Sequence, residues 1–205
     1  MPTLLQIDSS ADGMRSRTRR LTEEFARAWR ARGEDYTVVS RDLHLDPLPH
    51  LQSTDQHWPD RLRRGAGVDA ELDRLQAAVI DELLMADAVV VGAPMYNYAF
   101  PASLKVWIDL VHIPGLTAPF DVPAQPLAGK PFVIAGARGG TDDDGAFAHL
   151  IAQLTLVFGS GLGMDVHAVT TSRTLADRLP ELDAELAADE LIRAIEASRE
   201  LGSRV

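Results

Sequence analysis

The stretch "AVVVGAPMYNYAFPASLKVWID", Ala88 to Asp109, decides the fold of this chain. Its start, Ala88 to Ala93, is apolar without alternation, as expected of a strand buried on both faces of a sheet. Beyond Pro101, Leu104, Trp107, Ile108 and, just past the stretch, Val111 recur at helical spacing. Pro101 suits the first turn of that helix, because its missing N–H has no intrahelical partner there. A central strand thus hands over to a helix. Between them stand Met95, Tyr96, Asn97 and Tyr98, more chemistry than a connector needs.

The same alternation runs outward in both directions. "TLLQI" (Thr3 to Ile7) and "YTVVS" (Tyr36 to Ser40) read as strands one and two. Leu21, Phe25, Ala28 and Trp29 mark a helix between them, from Thr18 to Arg30. Asp69 can cap the next helix, with Leu72, Leu75, Val79 and Leu83 on its apolar face. "PFVIAGA" (Pro131 to Ala137) is the fourth strand and "MDVHAVTT" (Met164 to Thr171) the fifth. Asp144 can cap the helix between them, which carries Phe147, Leu150, Ile151, Leu154 and Phe158. A polar helix runs from Leu182 to Leu201. This β–α alternation predicts one α/β domain over residues 1–205 with a parallel sheet and helices on both faces. The flavodoxin-like strand order 2-1-3-4-5 is the common solution for five strands, with ligands at the carboxyl edge between strands one and three.

Composition narrows the function classes. The chain has 205 residues, 46% of them apolar, and a formal charge of −10. That charge argues against a nucleic-acid surface, which needs a basic face. There is no Cys, which excludes a disulfide framework, thiolate metal ligands and a Cys nucleophile, and is compatible with a cytoplasmic location. No stretch approaches the ~18 apolar residues of a membrane span. The six His residues form no close ligand pair, so no metal site is expected. His112 and His149 are expected to pack, and Trp107 to sit in the core or an interface. His57 and Trp58 lie in an irregular, proline-punctuated segment.

In the 2-1-3-4-5 order three loops converge: "DSSADGMRSRT", "PMYNYAFP" and "ARGGTDDDG". The first sets Ser9, Ser10, Ser16 and Thr18 before a helix whose unpaired N–H groups attract an anion. Each hydrogen bond to a charged group contributes roughly 1.5–3 kcal/mol. Most of the negative charge lies farther than a Debye length of about 8 Å, so these local donors win. In the second loop, Met95 and Tyr98 offer soft and aromatic surface, and Asn97 an amide. The third holds Gly139 and Gly140, where backbone can approach a ligand closely. No Gly-x-Gly-x-x-Gly follows strand one. Gly129 and Lys130 precede Pro131 rather than Ser or Thr, so there is no P-loop.

In "APMYNY", "LKVWID", "ARGG" and the "SRT" before helix one, the chain resembles the FMN-dependent NADH azoreductases. These are flavodoxin-like reductases of quinones and azo compounds, and the resemblance covers nearly the whole chain. It implies that Ser10, Ser16, Arg17 and Thr18 hold the FMN phosphate. Met95, Tyr96, Asn97 and Tyr98 would border the ribityl chain and the isoalloxazine. Ala137, Arg138, Gly139 and Gly140 would line the pyrimidine side, largely through backbone. Ala137 stands where the family often has Ser, Thr18 where it has Ser, Tyr98 where Phe is common, and Asp142 where some relatives carry His.

The resemblance further implies ping-pong exchange, with NADH (or NADPH) as donor and a quinone or azo compound as acceptor, by a homodimer. The cofactor carries the chemistry, so no catalytic side chain is expected, and Asn97 is the candidate for tuning the ring. The apolar segment "IPGLTAPF" (Ile113 to Phe120) suits a subunit interface, or a satellite core beneath a loop. A one-electron flavodoxin-type carrier is the alternative, which the acidity fits and the long segments around Pro59 and over Ile113–Gly129 oppose. A Ser hydrolase is disfavoured, since "GSG" at Gly159 to Gly161 has Phe158 where the elbow motif needs Gly.

Overall fold

The computed structural model describes every residue except Ala66, Ala124, Asp144, Pro180 and Leu182. Five strands form one parallel sheet in the order β2-β1-β3-β4-β5. They are β1 (Thr3–Asp8), β2 (Thr37–Asp42), β3 (Ala88–Pro94), β4 (Pro131–Ala137) and β5 (Asp165–Thr171). The helices are α1 (Arg17–Arg30), α2 (Ala70–Met85), α3 (Ala102–Val111), α4 (Ala146–Leu154) and α5 (Ala184–Arg204).

Every residue of β3 is buried, as its unbroken apolar run requires at the centre of the sheet. Successive side chains of a strand point to opposite faces. Leu5, Ile7, Val89, Val91, Phe132 and Ile134 accordingly pack with Val79, Leu83, Leu104, Trp107 and Leu150 of α2, α3 and α4. Leu4, Val90, Val133 and Ala135 pack with Leu21, Phe25 and Trp29 of α1 and Ile195 of α5. Two apolar layers therefore fix the strand register from both sides, and with it the loops at the carboxyl edge.

Several boundaries differ from the sequence expectation. The second strand begins at Thr37 and continues to Asp42, because its backbone pairs with β1 as far as Asp8. On α2, Val79 and Leu83 are buried, but Leu72 and Leu75 are only half-buried; Gln76 and Ile80 complete the inner face. Gln76 donates to the Gln56 and Leu110 carbonyls, which lets a polar residue sit there. Asp69 caps α2 through the Glu71 and Leu72 amides, as expected. The expected cap Asp144 lies outside the described residues, as does Leu182, the expected start of the last helix. Beyond Leu154 the helix widens to π geometry over Thr155–Gly161, which turns Phe158 inward between Trp107 and Phe132. Trp107 is fully buried, as expected of a core residue. His112 is half-buried, and burial lowers its imidazole pKa. His149 is exposed on α4, against the packing role expected of it.

Candidate functional site

The loops after β1, β3 and β4 do meet, and they enclose a crevice of about 290 Å³ at the carboxyl edge. It lies at the switch between β1 and β3, where strand order reverses direction. Its walls divide into the start of α1, expected from sequence as an anion end, the exits of β3 and β4, expected as a ring end, and a connection not foreseen from sequence.

The anion end is the start of α1. Ser16 is the N-cap, and its Oγ accepts the Arg19 amide. Arg20 donates to the Ser16 carbonyl. The amides of Arg17 and Thr18 are left without a protein acceptor among the described residues, as the first turn of a helix leaves them. Thr18 is fully buried, and its hydroxyl lies 3.0 Å from that of Ser16. Ser10 lines the crevice too, and its hydroxyl lies 3.2 Å from that of Tyr96. Tyr96 also accepts the Ala11 amide at 3.1 Å, so the first and second loops are joined through one phenol. Ser9 points elsewhere; it is buried and donates to the Gly92 carbonyl.

A charged layer supports this end from beneath. Arg19 forms a two-point ion pair with Asp42 and donates to the Ser10 carbonyl at 2.7 Å. Burial alone would raise the Asp42 carboxyl. The Arg19 guanidinium and the Leu45 and His44 amides outweigh it and bring the pKa down to about 2. Asp8 sits nearby, and burial raises its pKa despite a 2.8 Å hydrogen bond from Thr22.

The ring end comes from β3 and β4. Met95 donates its amide to the Ala137 carbonyl at 2.7 Å, locking the two strand exits together. Tyr96 and Ala99 exchange both backbone hydrogen bonds around Asn97 and Tyr98, which have φ of 50° and 69°. Positive φ at both central residues defines a type I′ turn, usually made with Asn-Gly. Here the second position is Tyr98, 73% exposed, so a large ring is held outward at a conformational cost. Met95, Tyr96, Ala137, Arg138 and Gly139 line the crevice; Asn97, Tyr98, Gly140 and Thr18 are not among its lining residues.

The Gly139 and Gly140 amides have a clear orientation. The Arg138 carbonyl accepts from Thr174, and the Gly139 carbonyl from Leu175, both at 3.1 Å. Across a planar trans peptide the N–H points opposite to the C=O. The Gly139 and Gly140 amides therefore face away from that connection, and they meet no protein acceptor among the described residues. Leu175 packs closely over Gly139: a Cβ there would stand 3.0 Å from Cγ of Leu175, so a side chain would have to push that leucine aside.

Thr174, Leu175, Asp177 and Arg178, from the connection after β5, line the crevice alongside Asp12, Arg15 and Arg17. Sequence reasoning considered three loops and missed this fourth, although it leaves the same sheet edge one strand farther out. The Arg17 guanidinium is engaged by that connection, donating to the Ser172 carbonyl and to Asp177.

Amides without a protein acceptor, set beside the Ser10 and Ser16 hydroxyls at a helix start, match a phosphate. The outward amides of a Gly pair match the carbonyl edge of a flat heterocycle. Sheet order and crevice together define a flavodoxin-like protein. The family described as "Flavodoxin-like fold" matches residues 2–198. The FMN-dependent NADH:quinone oxidoreductase of Kineococcus radiotolerans is 53% identical over 208 residues, covering 98% of each chain. That of Streptomyces avermitilis is 35% identical, covering 97% of this chain and 91% of its own. An azoreductase from Bacillus anthracis superposes with a TM-score of 0.79 at 21% identity over the full length of both chains, a likeness of fold. The chain belongs to the flavodoxin-like family of FMN-dependent NADH:quinone oxidoreductases.

Proposed function

We propose that this protein is an FMN-dependent oxidoreductase that passes two electrons from NADH or NADPH to a quinone or azo compound, working as a cytoplasmic homodimer over residues 1–205. The observation that carries this reading is a crevice that pairs a donor-rich helix start with Gly139, whose amide, like that of Gly140 next to it, has no protein acceptor among the described residues.

Bound FMN supplies the electron relay, and the protein supplies binding, orientation and electrostatics. Ser10 and Ser16, with the Arg17 and Thr18 amides, would hold the phosphate. Thr18 acts through Ser16, whose hydroxyl it braces. Met95 and Tyr96 would border the ribityl chain and ring. The Gly139 and Gly140 amides are fixed donors for negative charge at the pyrimidine edge, and fixed donors are worth most where water is excluded. Ala137 and Arg138 complete that side through backbone. Asn97 and Tyr98, on the exposed turn, would face the donor or acceptor, with the Asn97 amide available to tune the ring.

No helix among the described residues is long and apolar enough to cross a membrane. Dimerisation is supported by Leu116 and Phe120, 39% and 63% exposed, with Phe120 against the Trp58 ring at 5.4 Å.

Anaerobic stopped-flow mixing tests the reading. Loaded protein should lose its flavin absorbance on mixing with NADH and regain it on mixing with a quinone. Loaded protein that NADH does not reduce within the time of a turnover would instead be a one-electron carrier.

A further inference from the structure

Arg17 begins α1, yet its side chain serves another part of the molecule. It is 7% exposed. It donates to the Ser172 carbonyl at 2.9 Å, the Ala187 carbonyl at 3.1 Å and Asp177 at 3.1 Å, with a longer contact of 3.5 Å to the Thr171 hydroxyl. All four acceptors lie in the stretch from the last residue of β5 to the first turn of α5. A guanidinium so engaged has its charge and its forked donors committed to that connection.

The same connection is fastened to the glycine loop. Arg173, Thr174 and Leu175 donate their amides to the Gly140, Arg138 and Gly139 carbonyls in turn. Leu175 fills the space that a side chain at Gly139 would need. A continuous mechanical path thus runs from the first helical residue beside the anion end, through the connection, to the two amides of the ring end.

We propose that Arg17 is a positioning residue, and that Thr174 to Arg178 form a wall of the cofactor crevice which Arg17 holds in place. This rests on the FMN reading above. It gives Arg17 a role different from direct contact between its guanidinium and the phosphate: the backbone amide serves the phosphate, and the side chain serves the wall. Loss of the side chain then releases the wall and the orientation of the Gly139 and Gly140 amides. Ring binding suffers, whether or not a phosphate is attached.

Riboflavin, which has the ring and lacks the phosphate, separates the two roles. Full-length protein freed of flavin is titrated with FMN and with riboflavin, each followed by quenching of flavin fluorescence. Arg17→Met should raise both dissociation constants by about tenfold or more, with their ratio kept within about twofold of wild type. Leu175→Ala leaves Arg17 and its partners intact and should also weaken both flavins. It keeps the test open if the Arg17 variant does not fold. An Arg17→Met protein that loses FMN affinity alone, with riboflavin unchanged, would make the guanidinium a phosphate ligand and overturn the proposal. Unchanged affinity for both flavins in Leu175→Ala would remove the wall. Failure of the wild-type protein to quench FMN would instead sink the FMN reading itself, and the comparison of variants tells these failures apart.

Discussion

Two residues, one lining the crevice and one on the turn beside it, link stability and function in opposite senses. Ser16 does two things with one hydroxyl: it caps α1 and faces the anion end. Ser16→Ala should therefore cost about 1 kcal/mol of stability from the lost cap. FMN affinity should also fall by roughly ten- to a hundredfold, since a hydrogen bond to a charged group is worth roughly 1.5–3 kcal/mol. Denaturant melts and fluorescence titration read the two losses separately. Tyr98 is the reverse case. A left-handed conformation costs a non-glycine residue roughly 1–2 kcal/mol, part of which glycine regains in unfolded-chain entropy. Tyr98→Gly should then stabilise the protein by about 0.5–1 kcal/mol in thermal melts. FMN affinity should hold, because Tyr98 stays outside the crevice lining, while turnover with a quinone drops as its exposed ring is removed. A Tyr98→Gly protein with unchanged turnover would mean that the strained turn serves packing alone.

At the scale of elements, Arg19 of α1 and Asp42 at the end of β2 brace the loop between β1 and α1. The folded protein holds the Asp42 carboxyl at about 2, below its ordinary value of 3.8. A group with a depressed folded pKa stabilises above its unfolded pKa, and that stability is lost as pH falls through the folded value. The difference corresponds to about 2 kcal/mol, lost between roughly pH 5 and pH 2. Asp8 has the opposite sign: its pKa is raised by burial, so its ionisation opposes folding. Urea midpoints taken down this range should fall for wild type and fall less for Asp42→Asn, whose stability at pH 7 is already reduced. Equal slopes for the two proteins would assign the acid transition to other carboxylates.

The elements themselves were readable because each carries a local signal. β3 is an unbroken apolar run between helices with 3.6-residue spacing, and Asp69 announces the start of α2. The three polar loops were readable for the same reason, being richer than connectors need. Three features were hidden. The wall from Thr174 to Arg178 looks like an ordinary connector, because its role comes from backbone bonds to the Arg138, Gly139 and Gly140 carbonyls. The Arg17 side chain reaches residues more than 150 positions away, a pairing no local pattern encodes. The π-helical turn over Thr155–Gly161 follows from core packing of Phe158 between Trp107 and Phe132, where the sequence shows only continued helical spacing.

For the whole molecule, the segment from Ile113 to Phe120 presents two faces. Ile113, Thr117 and Ala118 are buried, with the Thr117 hydroxyl accepting the Ile113 amide and donating to the Val111 carbonyl. This half is a satellite of the core. Leu116 and Phe120 face outward, and the Trp58 ring leans on Phe120. Arg61 clamps the same region from the side through Asp121 and the Gly115 carbonyl, so the exposed apolar groups are held in shape. Ordered apolar and aromatic side chains resemble the core of a protein interface more than a scatter of surface residues. If this is where two copies meet, apparent stability must depend on concentration, because association draws on the folded state alone. The melting temperature of wild type should rise with protein concentration, and sedimentation should give twice the mass of one chain. Phe120→Asp places a charge on the surface without touching the buried half of the segment. It should shift sedimentation toward the monomer and flatten the concentration dependence, with FMN affinity retained because Phe120 does not line the crevice. A Phe120→Asp protein that remains dimeric would move the contact to another face.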